Sequence, residues 1–212
     1  MTFDAILLLA AAVFIFSLKP GPGILTSISY SLSHGYKGLL AFLVGFNLGL
    51  GAFLTIVFIG FMGVNQLELD IVFFAIIAKS LAALYLITIG IKELRVWDKD
   101  VSLDESKIEK PTQYYDIVVS AIMLTVSNPM IIVFYASIIP AFITVEMLTL
   151  EIAMFITAML MFIDSFGMVI YCAPVLLFRK KMSIGHMKYI RLVSAIIIIL
   201  IGLYIGYTAL PA

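Results

Sequence analysis

The sequence predicts an all-α integral membrane protein with six transmembrane helices. Hydrophobic residues make up 63% of the 212 residues, charged residues make up only 12%, and the mean hydropathy is +1.17. A soluble domain of this length carries about a quarter charged residues. Long apolar segments recur along the whole chain, without the strand-like alternation of an outer-membrane barrel. We therefore expect a single membrane domain, residues 1–212.

Six segments are long enough to cross a bilayer, which takes about 20 mostly apolar residues. They are residues 3–33, 38–63, 71–94, 114–139, 147–178 and 189–210. The one long polar stretch, residues 96–113, has mixed charge, and we interpret it as a cytoplasmic linker between a first half, 1–95, and a second half, 114–212. The N-terminus lacks the basic region of a cleaved signal, so we expect Phe3 onward to be a retained span.

Lysine and arginine alternate between successive loops. The loops after the first, third and fifth predicted spans carry them, whereas the loops around 65–70 and 144–146 carry none. Loops with positive charge stay in the cytoplasm. We therefore expect both termini to lie on the periplasmic or extracellular side.

Proline breaks interrupt the first and fourth predicted spans. The first break reads Pro20-Gly21-Pro22-Gly23 and the second reads Asn128-Pro129. Backbone groups freed inside a bilayer persist only when they are buried in protein or line a polar cavity. Three spans per half give the two halves opposite orientations, so both breaks approach the membrane centre from opposite sides. This pattern is typical of a transporter built as a 3+3 inverted repeat, with its substrate site at the breaks.

The residue types of the first break suit a ligand with a negative group. The two prolines lack an N–H group and disrupt helix hydrogen bonding, and the glycines allow unusual dihedral angles and close approach. A half-helix that restarts at Ile24 would point its positive end at a substrate carboxylate. The alternative interpretation of each break is a simple kink.

Two asparagines add polar groups within the predicted spans. Asn128 offers an amide with both donor and acceptor capacity at the second break, next to Pro129. Asn47 lies in the second predicted span and is a candidate for the polar lining of a substrate path. Together with the first break, these residues could grip a zwitterion.

Three charged side chains fall within the predicted spans: Lys19, Lys79 and Asp164. An ionised group in hydrocarbon costs roughly 3 kcal/mol or more and usually faces the bundle interior. We expect Asp164 to carry a proton or bind a substrate amine, with Lys79 as its counter-ion or as a site for the substrate carboxylate. The alternative is a static Lys79–Asp164 pair that only orients helices. For Lys19 we expect a side chain that reaches the cytoplasmic interface.

Small residues recur every four positions on two predicted spans. Ala41, Gly45 and Gly49 form such a stripe on the second span, and Gly202 and Gly206 form one on the sixth. Stripes of this kind let helix backbones pack closely. The sequence leaves open whether Gly202 and Gly206 build a homodimer.

Several function classes lack their motifs. The sequence contains no nucleotide-binding loop, nucleophile–base pair or metal-ligand cluster, so we expect no enzymatic activity, no cofactor, no resident metal and no nucleic-acid partner. Cys172 is the only cysteine, which excludes electron transfer through paired cysteines. A purely structural role would not explain breaks and ionisable groups in both halves. An exporter of metal cations or other toxicants remains the alternative function, although intramembrane carboxylates, thiols and imidazoles are scarce.

The order of motifs along the chain extends this interpretation. Pro20-Gly21-Pro22 is followed by Ser33-His34-Gly35-Tyr36-Lys37-Gly38 and then by Gly45 and Gly49; Lys79 precedes Tyr85-Leu86 and Gly90-Ile91; and Asn128-Pro129 precedes Phe134 and Ile139-Pro140-Ala141-Phe142. This order resembles the lysine exporter / homoserine-threonine exporter (LysE/RhtB) family. The resemblance implies a secondary transporter that exports small amino acids or their derivatives across the bacterial inner membrane, driven by the proton motive force.

The chain departs from the pattern of that family at three positions. The family commonly has lysine after its Asn-Pro pair, where this chain has Met130, and glutamine where it has Ala141. Lys19 stands where the family usually has a small or apolar residue. The cation lost at 130 and the one gained at 19 could compensate for each other or shift the choice of substrate, so the sequence does not identify the amino acid.

Overall fold

The computed structural model of the chain describes residues 3–66, 71–95, 113–143, 148–178 and 187–209, and these residues form seven α-helices and no strand. The helices are α1 (Phe3–Ser17), α2 (Pro22–Gln66), α3 (Ile71–Leu94), α4 (Tyr114–Val126), α5 (Pro129–Phe142), α6 (Leu150–Phe178) and α7 (Met187–Ala209). The predicted linker, apart from Gln113, lies outside the described residues, as does the side chain of Lys79. The predicted all-α class is confirmed for the described residues.

Helices end and restart at both predicted breaks. The first break separates α1 from α2, and the second separates α4 from α5, whose axes differ by 57°. The sequence predicted that the helix after the first break restarts at Ile24. In the structure it begins two residues earlier, at Pro22. Proline suits the first helical position because the N–H it lacks would have no intrahelical partner there, and Pro129 occupies the same place in α5.

A kink at Gly35 replaces the short loop that the sequence predicted between the first two spans. Residues 34–37 belong to α2, and Gly35 has φ 63° and ψ −151° inside it. Only glycine adopts these angles readily. The chain therefore kinks at Gly35 between two helical segments of α2.

The outer surface of the helices is apolar, as lipid contact requires. Large exposed side chains include Ile56, Phe162 and Leu177, which are 69%, 71% and 76% exposed. Among the described residues, Pro22–Gly63 and Leu150–Leu177 are long and apolar enough to cross a membrane, and the bent pair α4–α5 makes a third span if it crosses as one unit. The six-span count stays a prediction.

Helices α3 and α7 pack through glycines in a reciprocal manner. A methyl group added at Gly90 of α3 would lie 2.9 Å from the carbonyl oxygen of Ala195 in α7. A methyl group added at Gly202 of α7 would lie 3.1 Å from the carbonyl oxygen of Ala83 in α3. Both pairs of corresponding residues are 112 positions apart. Gly202 is thus used for packing inside the chain, which is the packing role predicted for its stripe.

A second reciprocal contact lies next to the breaks. Gly49 of α2 packs against Thr125, the last residue but one of α4. Gly167 of α6 packs against Ser17, the last residue of α1. In both cases an added methyl group would lie 3.0 Å from the neighbour's Cβ atom. Helix α2 therefore supports the end of α4, and α6 supports the end of α1.

The core connects the two breaks directly. Phe16 of α1 stacks on Phe134 of α5, with ring centroids 3.7 Å apart and an interplanar angle of 4°. Both rings are almost fully buried. This contact brings the residues that follow Phe16 close to the helix that follows the second break.

Candidate functional site

A cavity of about 60 Å³ lies between the two breaks. Its lining comes from α1, α2, α5, α6 and the break segments: Phe16, Ser17, Lys19, Gly21, Pro22, Gly23, Ile24, Phe46, Asn128, Met130, Ile131, Tyr135, Asp164 and Met168. A water molecule needs roughly 10–15 Å³ of such space. The cavity therefore has room for several waters or for the polar end of a small ligand.

The first break leaves two backbone donors at the start of α2. The N–H of Leu25 donates to the carbonyl of Gly21 at 3.0 Å, whereas the N–H groups of Gly23 and Ile24 have no acceptor among the described residues. Both of these residues line the cavity. Such donors at a helix N-terminus carry the positive end of the helix dipole and favour an anion. Tyr171 steadies the preceding turn by donating from its hydroxyl to the Leu18 carbonyl at 2.6 Å.

The second break is closed by its own asparagine. The side-chain oxygen of Asn128 accepts a hydrogen bond of 3.0 Å from the N–H of Met130, so Asn128 is the N-cap of α5. Its side-chain nitrogen has no acceptor among the described residues and remains a donor at the cavity. On the outer side of the break, the Tyr85 hydroxyl donates to the Pro129 carbonyl at 3.4 Å.

Asp164 is buried in α6 and pairs with a tyrosine that the sequence interpretation did not single out. The Tyr135 hydroxyl donates to Oδ2 of Asp164, and both side chains line the cavity. Asp164 is 5% exposed and Tyr135 has no exposed surface. The predicted partner of Asp164, Lys79, has a side chain outside the described residues, so the Lys79–Asp164 pair stays a hypothesis.

The side chain of Lys19 is enclosed by protein, whereas the sequence predicted one that reaches the cytoplasmic interface. Its side chain is buried, and its Nζ atom lies 2.8 Å from Oε1 of Glu93 in α3 and 2.9 Å from Sδ of Met130. Glu93 supplies the counter-charge, which makes burial of the ammonium tolerable. Lys19 therefore lies beside Met130 in space, although the two are far apart in sequence.

The glycines of the first break have a different role from the one predicted. Neither Gly21 nor Gly23 has a positive φ; among the described glycines only Gly35 does. A methyl group at Gly23 would lie 3.4 Å from Cε of Met168, and one at Gly21 would lie 3.8 Å from the Lys19 carbonyl. These are ordinary contact distances, so the absence of side chains keeps the cavity open and is not required by the backbone.

The remaining predicted residues lie near the cavity but do not line it. Pro20 is buried within the first break, and Pro129 is exposed at the start of α5. Asn47 donates at 2.8 Å to the Leu43 carbonyl and at 2.8 Å to the hydroxyl of Ser165. Its amide links α2 to α6, so it is a helix-joining residue and not polar lining of the cavity.

Sequence reasoning missed Tyr135 and Glu93, and only Tyr135 had a usable signal. Tyr135 follows Asn128 by seven residues, which is close to two helical turns and puts the two on one face of α5. Glu93 lies one residue before the end of α3, and nothing in its sequence position indicates a pairing with Lys19.

Residues 14–209 match the family described as LysE type translocator, which covers most of the chain. The chain belongs to this family. LysE type translocators form a family of membrane transporters and not of enzymes. Family membership, together with the apolar helices, makes the protein a multi-pass membrane protein.

Curated relatives of this LysE type translocator match it over part of their length. The homoserine/homoserine lactone efflux proteins of Salmonella typhi and Salmonella typhimurium are each 32% identical to it over 127 residues, which is 60% of this chain and 59% of the relative. An uncharacterized membrane protein of Vibrio cholerae is 32% identical over 129 residues, 61% of this chain and 60% of the relative. The chain thus spans about three fifths of these relatives. No solved structure matches it.

Proposed function

We propose that this LysE type translocator is a secondary transporter that exports small amino acids or their derivatives across the bacterial inner membrane. The observation that carries the proposal is that residues from both proline breaks border one cavity together with Asp164. Breaks in corresponding spans of two halves are typical of a transporter's substrate site. Efflux proteins for homoserine and its lactone are among the relatives, which favours substrates of that size.

The proposed architecture is six spans in a 3+3 inverted repeat. Support comes from the two reciprocal glycine contacts, between α3 and α7 and next to the breaks. In both of these contacts, a glycine of the first half packs against the second half, and the corresponding glycine of the second half packs against the first half. Alternating access would then rock the two halves about the cavity. With arginine and lysine in alternate loops, both termini would lie outside the cytoplasm.

The proposed substrate is a zwitterion held at both ends. The N–H groups of Gly23 and Ile24 and the amide nitrogen of Asn128 offer donors for a carboxylate. Asp164 offers a carboxylate for the substrate amine, with Tyr135 as a donor that holds it in place. A cavity of this size accepts a small amino acid head group more readily than a large polar solute.

Protons are the proposed coupling ion. Asp164 is a buried carboxylate at the cavity, so it could hold a proton in one conformation and a substrate amine in the other. Export would then exchange outward substrate for inward protons. A resident metal or cofactor is not needed for this cycle, and a homodimer stays a prediction.

The alternative, export of a metal cation, finds no supporting observation in the described part of the chain. There, no group of three or more histidine, cysteine, aspartate and glutamate side chains is close enough to hold a metal ion. Carboxylate and imidazole clusters are the usual ligands of such ions.

Export from loaded cells tests the proposed function. Cells that produce the protein and cells that produce an Asn128→Leu variant are loaded with labelled homoserine, threonine, serine, leucine or lysine, and the label in the medium is followed. We expect faster release of at least one amino acid with the wild-type protein only. Cells without the protein are followed as well. If all three kinds of cell release every amino acid of the panel at the same rate, amino acid export is refuted.

A further inference from the structure

The ion pair between Lys19 and Glu93 lies at one wall of the cavity, but only one of its members borders the space. Lys19 and Met130 line the cavity and Glu93 does not. The Lys19 ammonium lies 2.8 Å from Oε1 of Glu93 and 2.9 Å from Sδ of Met130, which itself lines the cavity.

The sulfur of Met130 is a weak contact that a ligand can replace. A thioether accepts hydrogen bonds poorly, and methionine is flexible and repacks easily. A carboxylate that enters the cavity would form a charge-assisted hydrogen bond with the ammonium in place of this contact. Lys19 would keep Glu93 as its counter-charge throughout, so no step leaves a buried lysine without a compensating charge.

The same cavity is lined by further donors for an anion. Gly23 and Ile24, whose N–H groups have no acceptor among the described residues, line the same cavity as Lys19. A cation and backbone N–H groups of one helix N-terminus together make a site for a carboxylate. Asp164 and Tyr135 line the cavity as well. The carboxylate of Asp164 is available to the amine of the substrate.

We propose that Lys19 is the residue that recognises the substrate's free carboxylate, with Glu93 as the positioning residue that holds its ammonium at the cavity. The inference rests on the proposed function and narrows its substrate class. The protein selects α-amino acids with an ionised carboxylate over esters, amides and lactones of the same amino acids. The esters, amides and lactones lack the negative charge that binds the Lys19 ammonium.

Proteoliposomes test this selectivity without cellular esterases. Purified protein is reconstituted, and efflux of labelled L-homoserine, L-threonine and L-leucine is compared with efflux of L-homoserine lactone and of the two methyl esters. We expect the wild type to export each free acid about tenfold faster than its ester or lactone, the effect of one hydrogen bond to a charged group. Export of both forms at equal rates would overturn this inference alone. Export of neither form would overturn the proposed function and this inference with it.

Variants separate recognition from stability. Loss of one partner of a buried pair destabilises more than neutralisation of both, so the main variant is the double substitution Lys19→Met with Glu93→Gln. We expect it to lose about tenfold in export of the free acids, while export of the esters stays within about twofold of the wild type. An equal loss for acids and esters would show a merely structural pair and contradict the proposal.

Two single substitutions serve as controls. Met130→Leu removes the weak acceptor and keeps the volume, so the preference for free acids should remain. Glu93→Gln removes the carboxylate that positions the ammonium, so the preference for free acids should fall, but by less than in the double variant. A preference abolished by Met130→Leu, with Lys19 intact, would contradict the assignment to Lys19.

Discussion

The side-chain amide of Asn47 donates a hydrogen bond of 2.8 Å to the hydroxyl of Ser165, and the two residues are 118 positions apart. Gly49 and Gly167 have the same separation, and each packs against the end of the helix that precedes one break. Asn47 and Ser165 thus occupy corresponding places in α2 and α6, and their contact joins the two halves. The cavity with its two breaks is held between these paired supports.

Substitution of the packing glycines should destabilise the protein from either half. In Gly90→Ala and Gly202→Ala, the new methyl group meets backbone atoms of the opposite helix at 2.9 Å and 3.1 Å. We expect each to lower the free energy of unfolding by about 1–3 kcal/mol, measured by thermal or SDS-induced unfolding in detergent. Gly60→Ala is the matched control, because nothing lies within 4 Å of its added methyl group. A destabilisation of Gly60→Ala equal to the other two would contradict the packing argument.

Removal of the charge at Asp164 should uncouple export from the proton gradient. Asp164→Asn keeps the shape of the side chain but cannot take up or release a proton. We expect efflux from proteoliposomes with an imposed proton gradient to fall to the rate seen without a gradient, whereas exchange of labelled for unlabelled substrate continues. The control is Glu151→Gln, an exposed acid in the first turn of the same helix. Gradient-driven efflux at the wild-type rate across a pH series would exclude Asp164 as the coupling group.

The hydroxyl of Tyr135 should matter only through Asp164. Tyr135→Phe removes the donor to the carboxylate and keeps the ring, which packs in a T-shaped arrangement with Phe134, with centroids 5.2 Å apart. We expect slower gradient-driven export and a loss of about 1–3 kcal/mol in stability. In the double variant with Asp164→Asn, the two effects should not add. Fully additive losses would show that the hydroxyl acts through a group other than Asp164. Tyr115→Phe, at an exposed tyrosine, is the control for the loss of a hydroxyl group.

A methyl group at the mouth of α2 should narrow the range of substrates. Gly23→Ala places it 3.4 Å from Cε of Met168 and toward the cavity, with no backbone clash. We expect stability within about 0.5 kcal/mol of the wild type, and a larger loss of export for leucine than for serine. The control is Gly51→Ala, whose methyl group would lie 3.6 Å from Sδ of Met161 and away from the cavity. Equal losses for both substrates would argue against a role for Gly23 in cavity size.

The two termini should lie on the same, non-cytoplasmic side. A reporter that is active only in the cytoplasm should be inactive when fused after Ala212, because alternate loops carry the lysines and arginines. The same reporter placed after Lys107, in the predicted linker, should be active. The opposite pair of results would contradict the predicted topology.

The chemistry of single segments could be predicted from the sequence because it depends on local properties. The apolar length of a segment sets whether it can cross a bilayer. Proline has no N–H group for a helix hydrogen bond, and the prolines at 22 and 129 each begin a new helix. The places of both breaks and the all-α class therefore follow from sequence. The kink at Gly35 did not follow, because a single glycine in a polar stretch is equally compatible with a loop.

The sequence by itself determined which residues are polar in an apolar setting, and the tertiary structure alone decided which of them meet. Position along a helix gives the depth of a side chain in the membrane, but the direction in which it points across the bundle depends on how other helices pack. Lys19 therefore pairs with Glu93, 74 residues further along the chain, and lies buried where depth alone suggested an interface. For the same reason Asp164 accepts a hydrogen bond from Tyr135, and Asn47 donates one to Ser165 instead of lining the cavity. A buried charge must find its partner among the groups that packing brings within about 3 Å, and that choice is made by the fold.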